Sequence, residues 1–207
     1  MEISFRESDH TYWLGAIRVP SVTEILRPLG ADYRFVKDDV LQWKTDLGRA
    51  VHRAIELHLL DDLDHSSMEG DVSQYFDQFL KFQRDTGFAA LQTEAVVSHA
   101  LGYAGTLDCV GILNGNTVLI DWKTTAQISP TVALQTAAYA MALDSGRPPA
   151  DHVSGRRYAL RLTPTHYRLH SFPPQSYQYD VCVFKALLTT HQWCASNSKL
   201  QEQYNDG

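Results

Sequence analysis

Residues 105–124 read GTLDCVGILNGNTVLIDWKT, and the fold turns on how this stretch pairs with itself. Asn114-Gly115-Asn116 stands between two β-rich runs, which is a strong hairpin signal. In the second run, alternation puts Asp121 and Lys123 on one face and Val118, Ile120 and Trp122 on the other. In the first run both faces are largely apolar, so Asp108 belongs to a buried strand. With a two-residue Asn114-Gly115 turn, Asp108 lies directly opposite Asp121. With a loop two residues longer, Asp108 faces Lys123 and Asp121 is its diagonal neighbour. Either register brings the groups within roughly 5–8 Å of one another. A one-residue slip sets Asp108 against Trp122 and breaks the cluster. Two carboxylates facing each other repel, and a bound Mg²⁺ or Mn²⁺ relieves that. An Asp–Lys salt bridge beside an exposed Asp accounts for the same residues without a metal.

Working outward, LQTEAVVSHA (91–100) reads as a strand carrying Glu94. HTYWLGAIRVP (10–20) reads as a short hairpin. Ser21 and Glu24 form a capping box, so a helix starts there and stops at Gly30. A longer helical pattern runs from about Phe35 to Leu63, with Val40, Trp43, Leu47, Val51, Ile55 and Leu59 at 3–4 spacing. Residues 64–70 form a loop, and a third helix spans about Asp71–Asp85 before Gly87. Downstream, Pro130 opens a helix that ends near Ser145 and Gly146. RRYALRLT (156–163) and HYRLHSF (166–172) form an antiparallel pair. A last helix runs from about Gln175 to Ser196, and the polar tail 198–207 is expected to fray. The fold class is α/β, a mixed β-sheet flanked by helices.

The chain has 207 residues, 44% apolar and 20% charged, which excludes disorder and rod-like folds. Eighteen Lys and Arg against 24 Asp and Glu give a net charge of −6. That argues against a protein coating nucleic acid by bulk charge, but a local basic groove can coexist with an acidic site. Cys109, Cys182 and Cys194 lack CxxC spacing and cannot form a disulfide framework. Reduced thiols fit a cytoplasmic setting. No run is long enough to span a membrane, and MEISFRESDH lacks the features of a targeting signal.

Four further signals have two readings each. Gly48, His52 and Glu56 are spaced by four and share one helix face; a core histidine with a solvated Glu is the plain account, and a Gly inside a helix marks a close approach. Glu94 is a solvated strand residue or a site acid. Gln135 and Tyr139, one turn apart, are helix surface and core anchor, or site support. Arg147 to His170 holds Arg156, Arg157, Arg161 and Arg168 with interleaved Tyr and His, either a solvated strand pair or a phosphate-binding surface. Arg49 and Arg53 flank His52 and can assist. Trp13 and Trp43 are read as core residues rather than base-stacking platforms.

Taken together, GRAVH (48–52), Glu94, GTLDCVG (105–111), DWKT (121–124) and QTAAY (135–139) resemble the PD-(D/E)xK nuclease superfamily, and within it the RecB-like, lambda-exonuclease-like branch. The opening HTYWLGAIRVPSVTEIL resembles phage-type members. The resemblance covers about residues 10–140. It implies a restriction-endonuclease-like core with an N-terminal helical segment, in a single nuclease domain over 1–207. In that division, 1–90 carries GxxxH, 91–172 the catalytic sheet and QxxxY helix, and 173–207 the C-terminal helix and tail.

The resemblance also implies roles. Asp108 and Asp121 are metal-binding acids, Lys123 is the catalytic lysine, and His52 and the Trp122 backbone carbonyl are further metal ligands. Glu94 supports the metal or orients Lys123. Gln135 and Tyr139 position the site and the DNA backbone, with Arg156, Arg157 and Arg161 as DNA contacts. The cofactor is one or two Mg²⁺ or Mn²⁺ ions, without the iron–sulfur cluster of some relatives. The expected activity is exonucleolytic hydrolysis of DNA from its ends, in phage or bacterial recombination, repair or processing. A structure- or sequence-specific endonuclease and an inert DNA-binding module on the same core are the alternatives. DNA is the expected partner, and a recombination protein or a second copy of the chain is a further possibility.

Overall fold

In the computed structural model, residues 2–30 and 37–205 are described, with side chains through Asn197. The Asn-Gly turn fixes the central hairpin. Strand β5 (Tyr103–Leu113) pairs antiparallel with β6 (Asn116–Lys123), closing at Leu113↔Asn116 and running to Cys109↔Ile120. This is the register of a two-residue turn, and Asn114 and Gly115 both take φ above +50°, as that turn requires. On the other side of β5 lies β4 (Ala89–His99), also antiparallel. β7 (Arg157–Leu162) pairs parallel with β6, and β8 (Tyr167–Phe172) completes the five-stranded mixed sheet, in the order β4-β5-β6-β7-β8.

Helices cover both faces. α2 (Asp38–Leu59) and α3 (Gly70–Thr86) bury Val51, Ile55, Phe76, Phe79 and Phe82 against Ile120, Trp122 and Leu160. α1 (Val22–Leu26), α4 (Thr131–Asp144) and α5 (Tyr177–Asn205) pack Val22, Ala138 and Phe184 against Tyr103, Leu107 and Leu119. The alternation of β6 therefore holds, with Val118, Ile120 and Trp122 towards α2 and α3 and Leu119 towards α4. β5 behaves differently. Tyr103 and Leu107 face the α4 side, whereas Cys109 and Leu113 face the α3 side, so the buried set changes face at Asp108.

At α1, the Ser21 hydroxyl accepts the Glu24 amide at 3.0 Å, as the capping box requires. The chain then tightens into one 3-10 turn ending at Gly30. Several boundaries differ from the sequence reading. α2 ends at Leu59 rather than Leu63, because Asp61 takes a left-handed backbone (φ 57°) that no helix continues through. Its expected start at Phe35 lies outside the described residues. The N-terminal hairpin is a three-stranded antiparallel sheet of β1 (Ile3–Arg6), β2 (Thr11–Leu14) and β3 (Ile17–Val19). α5 continues to Asn205, so most of the tail is helical; it contains no Gly or Pro before residue 207. Trp43 is 53% exposed on α2 and is not a core residue, and Trp13 is half-buried, with the Arg6 guanidinium 4.9 Å from its ring centre.

Candidate active site

The site forms where two strand ladders break in one row. Glu94 falls between Thr93↔Cys109 and Ala95↔Leu107, which makes it the register neighbour of Asp108. Asp108 in turn is the position just past Cys109↔Ile120, opposite Asp121. No backbone bridge forms at these positions. Glu94 has φ 48°, a left-handed backbone that turns its peptide out of the ladder. The Asp108 side chain fills the gap on the other side, with its Oδ2 accepting the Trp122 amide at 2.6 Å. Three acids from three adjacent strands thus stand side by side.

α2 supplies the histidine. His52 Nε2 donates to the Trp122 carbonyl at 3.1 Å, leaving Nδ1 3.6 Å from Asp108 Oδ1. In that tautomer Nδ1 carries a free lone pair. Gly48, one turn earlier, makes the approach possible, since a Cβ there would stand 3.2 Å from the Thr124 hydroxyl at the end of β6. One ligand atom each from His52, Glu94 and Asp108 lies within 4.8 Å of the others. Asp121 stands beside this trio and engages Lys123 instead. Its Oδ2 is 2.6 Å from Lys123 Nζ, an ion pair whose angles fall short of a hydrogen bond. Its Oδ1 is buried without a partner.

The electrostatics follow from this crowding. Burial, then the Asp108 and Glu56 carboxylates, push Glu94 up to about 8. Burial raises Asp121 to about 6, against the pull of Lys123. Burial also raises Asp108, with Lys123 and the Trp122 amide opposing it. Burial, with Lys123, lowers His52 to about 4, so its ring is neutral at pH 7. Burial would lower Lys123, but Asp121 and Asp108 outweigh it and the amine stays charged. A neutral imidazole nitrogen, crowded acids and an orphaned buried carboxylate oxygen are donors that suit a divalent cation. Glu56, on the His52 face of α2, adds to the negative field at Glu94, a proximity that the helix spacing alone does not reveal.

α4 closes the other side. Gln135 Nε2 donates to the Tyr139 hydroxyl at 3.3 Å, and the Tyr139 ring packs on Gly105. A Cβ at position 105 would come within 2.7 Å of that ring, which explains the glycine of GTLD. Burial raises Tyr139 well above the usual phenol range, so the hydroxyl stays protonated.

The arginines divide. Arg157 is fully buried; it pairs with Asp180 at 2.8 Å, donates to the Ala133 carbonyl and stacks on Phe172 and Tyr177. It holds α4 and α5 to the sheet and is not a DNA contact. Arg156 donates to the Thr117 and His152 carbonyls. Thr117 is at the start of β6, about 20 Å of strand from Lys123, so Arg156 stands apart from the acidic row. Arg161 alone of the three is adjacent to the site, as the register partner of Lys123 across β6 and β7. Arg49 and Arg53 are exposed and paired with Asp46 and Glu56.

No protein-family model and no curated protein matches the sequence. Two solved structures are similar in part. One, a crystal structure of SSO0001, is 13% identical, covers 67% of this chain and 73% of its own, and has a TM-score of 0.30. The other, an alkaline exonuclease (LHK-Exo) from Laribacter hongkongensis, is 11% identical, covers 65% and 77%, and has a TM-score of 0.31. The functional reading therefore rests on the site itself.

Proposed function

We propose that this chain is a Mg²⁺- or Mn²⁺-dependent deoxyribonuclease of the PD-(D/E)xK superfamily that degrades DNA from its ends. The observation that carries the reading is the convergence of His52, Glu94, Asp108, Asp121 and Lys123, from four elements, at one break in the sheet. His52 Nδ1, Glu94 and Asp108 would hold the cation, with Asp121 and the second lone pair of the Trp122 carbonyl as adjoining donors. Bound there, the cation supplies positive charge against the phosphoryl oxygens and acidifies water.

The chain's own residues do the rest. His52 stays neutral, so its lone pair is available without a proton to displace. Lys123 stays charged, so its work is to stabilise the anionic transition state rather than to abstract a proton. Asp121 orients that amine. Gln135 and Tyr139 present donors from α4 to the phosphate backbone, and the packing of Tyr139 on Gly105 fixes their position. The GxxxH and QxxxY motifs favour digestion from ends, in phage or bacterial DNA recombination, repair or processing. The reading takes residues 1–207 as one nuclease domain, with a recombination protein or a second copy as a possible partner. Among the described residues no helix is long and apolar enough to cross a membrane.

End-labelled linear DNA incubated with Mg²⁺ or Mn²⁺ should be reduced to short products while a covalently closed circle persists. Cutting of the circle would replace the exonuclease by an endonuclease. No hydrolysis of either, in either metal, would leave an inert DNA-binding module.

A further inference from the structure

Beyond the acidic row, the same sheet turns basic. Arg161 on β7 and Arg168 on β8 are direct register partners, so two guanidinium groups leave the sheet side by side. Like charges directly opposite in a ladder are destabilising. Among the described residues no carboxylate pairs with either. Arg161 reaches the Ala126 carbonyl with Nη1 and lies 3.1 Å from His166 with Nη2, but its Nε is buried without a partner. His170, two residues from Arg168, also has a buried, unpartnered Nε2. Burial and the two arginines hold His170 below its usual range, a sign of the positive field there. The three residues line a groove of about 410 Å³ between β7–β8 and the 126–130 segment leading into α4. Ser129 faces the same groove at the start of α4, and none of the lining residues is acidic. Arg161 is also the neighbour of Lys123, so the groove begins about one strand spacing, 4.8 Å, from the proposed catalytic amine.

We infer that this groove is a backbone-phosphate subsite for a polynucleotide strand, with Arg161 and Arg168 as a clamp on a phosphodiester next to the one being cut. The inference rests on the nuclease reading of the neighbouring site. Two paired guanidiniums with open donors match the two free oxygens of a phosphodiester. Phe172 and His170 are the aromatic residues of the lining, and Phe172 is already engaged by the Arg157 guanidinium, 5.7 Å from its ring centre, so the charged groups favour contact with the backbone rather than with sequence.

The test uses the full chain in chelator, where no hydrolysis intervenes. Binding of a fluorescein-labelled single-stranded oligodeoxynucleotide is followed by anisotropy over a salt series. Arg168 is exposed, so Arg168→Ala should fold normally. It should bind roughly tenfold more weakly and lower the slope of log K against log salt by about 0.7, the value for one single-strand phosphate contact. Arg168→Glu should bind more weakly still. Arg84→Glu, an exposed site on α3 across the sheet, should bind like wild type. Wild-type affinity and slope in both Arg168 variants would overturn the inference, whether or not the protein cuts DNA. Weakened binding in a protein that hydrolyses nothing would uphold the subsite and sink the nuclease reading.

Discussion

One sheet carries two opposite solutions to the cost of charge. On β4, β5 and β6, Glu94, Asp108 and Asp121 form a row of buried or half-buried acids, and burial, reinforced at Glu94 and Asp121 by the neighbouring Asp108 carboxylate, lifts their affinity for protons. On β7 and β8, Arg161 and Arg168 form a basic pair at the rim, open to solvent on one side. Burial makes the acidic half a place that suits a compact cation, since the ammonium already there, Lys123, is paired with Asp121. Exposure makes the basic half a place that can wait for an extended anion, because water screens it meanwhile. A net charge of −6 averages these halves and describes neither.

The largest expected effect breaks the acidic half. Asp108→Asn keeps the shape but removes the charge between His52 and the Trp122 amide, and it should lower the cleavage rate by roughly 100- to 1,000-fold. Steady-state rates on linear DNA check this, with circular dichroism to confirm the fold. Lys123→Ala should lose a comparable amount, and a near-normal rate would remove that amine from the mechanism.

A second substitution separates the two kinds of arginine. Arg157→Ala leaves Asp180 buried and unpaired, and it should cost about 3–5 kcal/mol of stability. Urea unfolding measures that loss. Arg168→Ala, by contrast, should unfold within about 0.5 kcal/mol of wild type, as an exposed surface change does. Similar losses for both would erase the distinction between structural and substrate-facing charge.

The smallest effect is in the pH dependence of the metal-free protein. Glu94 and Asp121 hold protons more tightly when folded than when unfolded, so their charging disfavours the fold. Stability in chelator should therefore fall as pH rises from about 4.5 to 8. Saturating Mn²⁺ should flatten that fall, because the cation replaces the proton. Melting temperatures at closely spaced pH values, with and without metal, check the sign.

The pairing of β5 with β6 was legible because an Asn-Gly turn fixes register, and register fixes which residues face each other. That brought Asp108, Asp121 and Lys123 together from sequence alone. The capping box at Ser21 and the glycine after α3 were legible for the same local reason. The breaks in the ladder at Glu94 and Asp108 were not, because a left-handed Glu is imposed by its surroundings rather than by its own preference. Arg157 misled because an arginine in a strand reads the same whether α5 covers it or solvent does. Trp43 misled in the opposite sense: its helical spacing predicts a buried face, but the described neighbours leave it open. Spacing gave the set of candidate residues, and tertiary cover decided which of them could act.

The φ of 48° at Glu94 has an evolutionary consequence. A left-handed backbone costs a non-glycine residue about 1–2 kcal/mol, which Gly would recover and Asn would ease. Selection for stability alone would thus pull position 94 towards Gly, and only the demand for a carboxylate would hold it. In a saturation library, fitness under thermal stress and fitness for DNA turnover would rank the residues at 94 in opposing orders. Such a conflict marks a position that catalysis, rather than folding, keeps in place.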